Sequence, residues 1–138
     1  MSFKLSKHDT ISACDTPAEI EIVDPKTRVP TGEFISIIGK DSKEFREFTR
    51  ERTNARLRKD AMAQKRGKDL EIRTVEGIEA ENIELLVTCT KGWRGFIDDD
   101  GKEIPFNVQN AIFMYKNFPD IYDAANSAIG DLDNFLKA

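Results

Sequence analysis

The stretch AEIEIVDPKTRVPTGEFISIIG, Ala18 to Gly39, decides the fold class. Its first six residues alternate apolar and acidic side chains, the period of a half-buried strand. DPKTRVPTG then places two Pro and a Gly where the chain must turn. EFISIIG is rich in β-branched and aromatic residues and reads as the returning strand. A two-stranded hairpin is marginal in water, so other elements must pack on it.

The next segment supplies a helix. DSKE, Asp41 to Glu44, has capping-box spacing, with Asp41 expected to accept backbone N–H groups and Glu44 to reach back. From there to about Arg66 the chain holds no Pro or Gly, and Arg66–Gly67–Lys68 is the expected stop. Apolar residues are sparse: Phe45, Phe48, Ala55, Leu57, Ala61 and Met62. Phe48, Ala55 and Met62 recur every seven positions and form a narrow seam. The helix therefore reads as a projecting charged element, with Phe45, Phe48, Ala55 and Met62 as candidate protein-interface residues.

Downstream, DLEIRTVEG fits a strand or a loop, and a helix is expected over about Glu79 to Thr90, with Ile83, Leu86, Val87 and Thr90 on one side. Asn107 suits the N-cap of a further helix whose Ala111, Ile112, Tyr115 and Phe118 face inward. Pro119 suits the first turn of the last helix. There Ile121, Tyr122, Ala125, Ala128, Ile129, Leu132, Phe135 and Leu136 follow the i, i+3, i+4 rule. The expected class is α+β in one domain over 1–138: a β-hairpin in 1–40, a projecting basic helix in 41–68, and a mainly helical part in 69–138.

KGWRGFIDDDGKEIPF, Lys91 to Phe106, carries the only Trp and a run of three Asp. With Gly101 at the sixth position of a calcium loop, Phe96 and Asn107 would occupy the first and twelfth, where acids are needed. The register fails, and no metal is expected. The run reads instead as a tight turn, Asp98 to Gly101, between strands Arg94–Ile97 and Lys102–Pro105. Trp93, Gly95, Phe96, Gly101 and Pro105 are accordingly structural candidates.

Catalytic chemistry finds no footing. His8 lies in a polar N-terminal arm, Cys89 has no activating base nearby in sequence, and no Ser sits in a nucleophile motif. GKDSKE lacks the leading Gly of a phosphate loop. No catalytic residue, cofactor or metal is assigned, and a non-enzymatic role is expected. Among 138 residues, 39% are hydrophobic and 33% charged, with no apolar run near the roughly 20 residues of a membrane span. MSFKLSKHDT lacks the apolar core of a signal peptide, and Cys14 and Cys89 read as reduced thiols.

The net charge of -4 is unevenly spread. Residues 40–68 hold 11 basic and 5 acidic side chains, +6, whereas residues 69–138 hold 6 and 14, -8. A basic helix could follow a phosphate backbone, so a small nucleic-acid-binding protein using residues 46–68 is the alternative function. Interleaved Glu44, Glu47, Glu51 and Asp60 favour protein binding over nucleic acid.

The order of elements carries a resemblance. Asp24–Pro25–Lys26–Thr27, Pro30–Thr31–Gly32, Trp93–Arg94–Gly95–Phe96, Asp100–Gly101, Pro105–Phe106 and Asn110 appear in sequence around a capped charged helix. In this the chain resembles the tail assembly chaperones of long-tailed, siphovirus-type bacteriophages, over nearly its whole length. The resemblance implies a late viral protein in the host cell cytoplasm that is absent from the mature tail. It implies binding to the tape measure protein and recruitment of major tail protein. It also implies that this chain would be the shorter of two forms related by a frameshift. Self-association into a homo-oligomer is expected from the narrow seam of Phe48, Ala55 and Met62 and from the opposite charges of residues 40–68 and 69–138.

Overall fold

The computed structural model of the chain describes residues 5–67 and 74–136. The hairpin forms as the alternation requires: β1 (Ala18–Val23) runs antiparallel to β2 (Pro30–Ile37), with Ile20 opposite Ile35 and Ala18 opposite Ile37. Asp24 holds the connecting loop, its carboxylate accepting from the N–H groups of Lys26 and Thr27 at 2.8 and 3.1 Å. The α+β class is as expected, but the sheet has a third strand. β3 (Thr90–Arg94) pairs antiparallel with β2, which becomes the central strand in the order β1-β2-β3.

The helices follow with adjusted bounds. α1 (Thr10–Asp15), which sequence periodicity did not flag, precedes the sheet and buries Cys14. α2 (Lys43–Lys65) is capped by Ser42 rather than Asp41: the Ser42 hydroxyl accepts from the Phe45 N–H at 3.2 Å. Glu44 does not reach back, because it pairs with Lys91 of β3. α2 ends through Arg66, and Gly67 takes the left-handed φ of +69°. Lys68 and the ambiguous residues through Arg73 lie outside the described residues. α3 (Val75–Cys89) starts earlier than expected because the Thr74 hydroxyl accepts from Gly77 N–H at 3.0 Å. It stops one residue sooner, since Thr90 is taken by the sheet.

α4 (Val108–Asn117) and α5 (Pro119–Gly130) begin where Asn107 and Pro119 predict. α5 is shorter than the apolar stripe. It ends at Gly130, and a 3-10 turn at Leu132–Asn134 brings Phe135 back into the core while Leu136 stays exposed. The Asn134 side chain donates to the Ala128 carbonyl at 3.1 Å and closes that helix end.

The sheet's two faces differ. Ile22, Ile35 and Ile37 point into a contiguous core with Leu86 and Cys89 of α3, Ala111, Met114 and Tyr115 of α4, and Ile121, Ala125, Ala128 and Ile129 of α5. Full burial of an Ile contributes roughly 1.5–3 kcal/mol, so packing on the helices stabilises a hairpin that is marginal alone. On the opposite face Arg94 pairs with Glu19 and lies 3.8 Å from the Phe34 ring centroid. No helix of the described residues is long and apolar enough to cross a membrane.

Candidate functional site

The interface candidates on α2 divide. Phe45 is half-buried against the core, and Phe48 is half-buried beneath Arg52, whose guanidinium carbon lies 4.5 Å from the ring centroid. Ala55 and Met62 are exposed. The face turned to α3 is held largely by arginines. Arg52 donates to the Glu81 carbonyl at 2.8 Å and to the Glu84 carboxylate at 2.6 Å, and Arg56 lies 3.6 Å from Glu81. Phe48 is thus covered by Arg52 of the next turn while Ala55 and Met62 stay exposed, which breaks the expected continuous seam. No residue of α2 is fully buried.

The residues around Trp93 come together as one unit. Trp93 packs its ring 5.0 Å from both Phe96 and Phe106, and its indole N–H donates to the Ile104 carbonyl at 2.9 Å. Gly95, at φ +85°, breaks the strand after Arg94, so the expected hairpin shrinks to a single bridge between Ile97 and Glu103. The acid run is a turn: Asp98 accepts from the N–H groups of Asp100 and Lys102, both at 2.9 Å, and Gly101 has φ +81°. Phe96 is buried, and the carbonyl of exposed Pro105 accepts from the Asn110 side chain at 2.9 Å.

That turn is also one wall of a groove of about 670 Å³. The β1–β2 loop at Val23–Pro25 forms a second wall, and Phe113 and Phe118 at the α4–α5 corner form a third. Ile97 is 63% exposed and Phe113 57% exposed. Ile112 and Phe118, expected to face inward, are also exposed, because Ala111, Met114 and Tyr115 already fill the space under the sheet. Phe113 and Phe118 contact each other edge-on, with centroids 6.2 Å apart, and leave their outer surfaces open.

The groove is acidic at its edges. Asp24, Glu33, Asp98, Asp99 and Asp120 line it, and no Lys or Arg does. Burial raises the Glu33 carboxyl above its ordinary value, the Thr31 hydroxyl opposes this, and the charge of Asp120 adds to the rise. A cation arriving at this edge would favour the charged carboxylate and offset the repulsion from Asp120. Sequence reasoning missed this site. Its one sequence signal is the apolar surplus of NAIFMY in α4, which exceeds what one buried helix face can use.

Compared with protein-family models, curated proteins and solved structures, the chain matches none.

Proposed function

We propose that this chain is a tail assembly chaperone of a long-tailed bacteriophage, acting in the host cell cytoplasm by protein binding and not by catalysis. It would bind the tape measure protein, help recruit major tail protein, work as a homo-oligomer, and leave before the tail is complete. The observation that carries this reading is the open groove bounded by Ile97, Phe113 and Phe118. Exposed contiguous apolar surface of this kind is what a protein-binding site presents. The order of short motifs from Asp24 to Asn110, read as a resemblance, supplies the identity of the client.

The nucleic-acid alternative is weakened by two of the helix's own bases. Arg52 and Arg56 are engaged by Glu81 and Glu84, so they are not free to follow phosphates.

Co-expression with the tape measure protein of the same phage genome tests the proposal. The expected result is a soluble complex that survives size exclusion. A tape measure protein that aggregates equally with and without this chain would sink it. Tight, salt-sensitive DNA binding lost on charge reversal at Arg58 and Lys59 would favour the alternative.

A further inference from the structure

We propose that the groove between the Asp98 turn and the α4–α5 corner receives a cationic amphipathic helix from a partner protein. The helix would place bulky apolar anchors at i, i+3, i+4 and i+7 on the groove floor and Lys or Arg against its rim. The identification of that partner as a client rests on the chaperone reading above; the chemistry of the occupant does not.

Charge is the first argument. The rim presents five carboxylates and no base, and among the described residues no cation pairs with Glu33, Asp99 or Asp120. Like charges gathered around an apolar floor disfavour an acidic occupant and attract a basic one.

The backbone of the walls is the second. An extended peptide needs free N–H and C=O groups to pair with. Here Asp98 N–H donates to Lys102, Ile104 N–H to the Phe96 carbonyl, and Asp24 N–H to Val29, at 2.8, 2.8 and 2.9 Å. The Thr31 hydroxyl takes the Ile22 carbonyl at 2.7 Å. At the Asp98 turn and the β1–β2 loop the groove thus meets its occupant mainly through side chains. A helix, whose backbone is satisfied internally, suits such a surface.

Volume is the third, and it separates a foreign helix from this chain's own α2. About 670 Å³ accommodates several bulky side chains. The large apolar residues that α2 exposes are Leu57 and Met62, five positions apart and therefore on different helix faces. A second copy would bring the right charge without the anchors.

The test is fluorescence anisotropy with a labelled synthetic helix bearing Leu at the anchor positions and Lys elsewhere. The wild-type protein should bind it, with affinity falling as salt rises. Phe113→Ser should weaken binding about tenfold, as expected for losing an aromatic anchor. Asp99→Lys combined with Asp120→Asn should also weaken it and flatten the salt dependence. All three positions are exposed, and circular dichroism would verify that both variants fold. A peptide with Glu in place of Lys should not bind.

Equal binding of the Glu peptide, or indifference to both variants, would overturn the proposal. Tighter binding of a peptide spanning residues 43–66 would overturn it in favour of a second copy. A tape measure complex that persists in variants unable to bind the peptide would refute the groove assignment alone. Peptide binding without any tape measure complex would support the groove and refute the chaperone reading.

Discussion

Gly95 packs directly on the backbone of Gly32, joining the turn after β3 to the start of β2. A Cβ on Gly95 would press into the Gly32 carbonyl and come within 3.2 Å of the Glu33 Cα. Its φ of +85° adds strain for any side chain. Gly95→Ala should therefore cost more than about 2 kcal/mol, since backbone cannot yield as a side chain can. Gly101 also has positive φ, but nothing lies within 4 Å of its added Cβ. Gly101→Ala should cost only about 1–2 kcal/mol of conformational strain. Urea unfolding of the two variants checks the ranking, and equal midpoints would contradict it.

Trp93 is half-buried, so its ring contributes less than a wholly buried Trp would. Trp93→Ala should cost about 3 kcal/mol, at the low end for a large aromatic. Trp93→Phe keeps the stack on Phe96 and Phe106 but leaves the Ile104 carbonyl without its donor. It should cost about 1 kcal/mol. Denaturation midpoints for both should fall in that order, and an unchanged midpoint for Trp93→Ala would show that the stack is dispensable.

The elements that were legible in the sequence share a physical reason. β1 and β2 show because alternation and Pro-Gly punctuation lie within one short window. α4 and α5 show because Asn107 and Pro119 mark their starts locally. β3 does not show, because TKGWR has no alternation and its strand is imposed by pairing with β2. The cap at Ser42 in place of Asp41 is a one-residue shift that the spacing alone does not resolve, whereas the pairing of Glu44 with Lys91 of β3 is nonlocal and invisible to the spacing. The groove was hidden most deeply. Whether Ile112, Phe113 and Phe118 face in or out depends on which residues win the space beneath the sheet, and periodicity cannot rank those competitors.

Tyr115 and Thr90 form a directed chain inside the core. The Thr90 hydroxyl donates to the Leu86 carbonyl at 2.6 Å, so the Tyr115 hydroxyl, 2.6 Å from Thr90, is the donor to it. Removing the last donor leaves no orphan, and Tyr115→Phe should cost about 1 kcal/mol. Thr90→Val strands the buried tyrosine hydroxyl and should cost about 1–3 kcal/mol. Chemical denaturation of the two variants and their double mutant measures the difference. A more damaging Tyr115→Phe would reverse the assigned direction.

The same region should contribute to the loss of stability at alkaline pH. Burial pushes the Tyr115 hydroxyl from 10.0 to about 12 and the Cys89 thiol from 9.0 to about 12. Both groups are neutral when protonated, and the native state holds their protons more tightly than the unfolded chain. Their contribution is complete below pH about 9 and is lost as pH rises toward about 12. Melting temperature should fall through that window. The fall should be shallower in Cys89→Ala and in Tyr115→Phe than in wild type. Parallel curves for all three proteins would assign alkaline unfolding to other groups.

Self-association should involve the outer side of α2. Met62 is 48% exposed, on a helix with no fully buried residue. Around it Arg58, Lys65 and Arg66 give the helix a basic end that can meet exposed acids of another copy outside the groove, such as Glu76 and Glu79 on α3. Contact between two different surfaces is heterologous, and it closes into rings or continues as open spirals. Exposed charges are screened beyond about 8 Å at physiological ionic strength, so added salt should shift the population toward monomer. Met62→Glu should weaken association without loss of stability. Phe48→Glu should lower stability as well, because it removes the half-buried ring under Arg52, the residue that bonds to Glu81 and Glu84 of α3. Light scattering after size exclusion at low and high salt, paired with melting curves, separates the two effects. A monomer at tens of micromolar in low salt would sink the self-association hypothesis, and oligomers indifferent to Met62→Glu would move the contact off this face of α2.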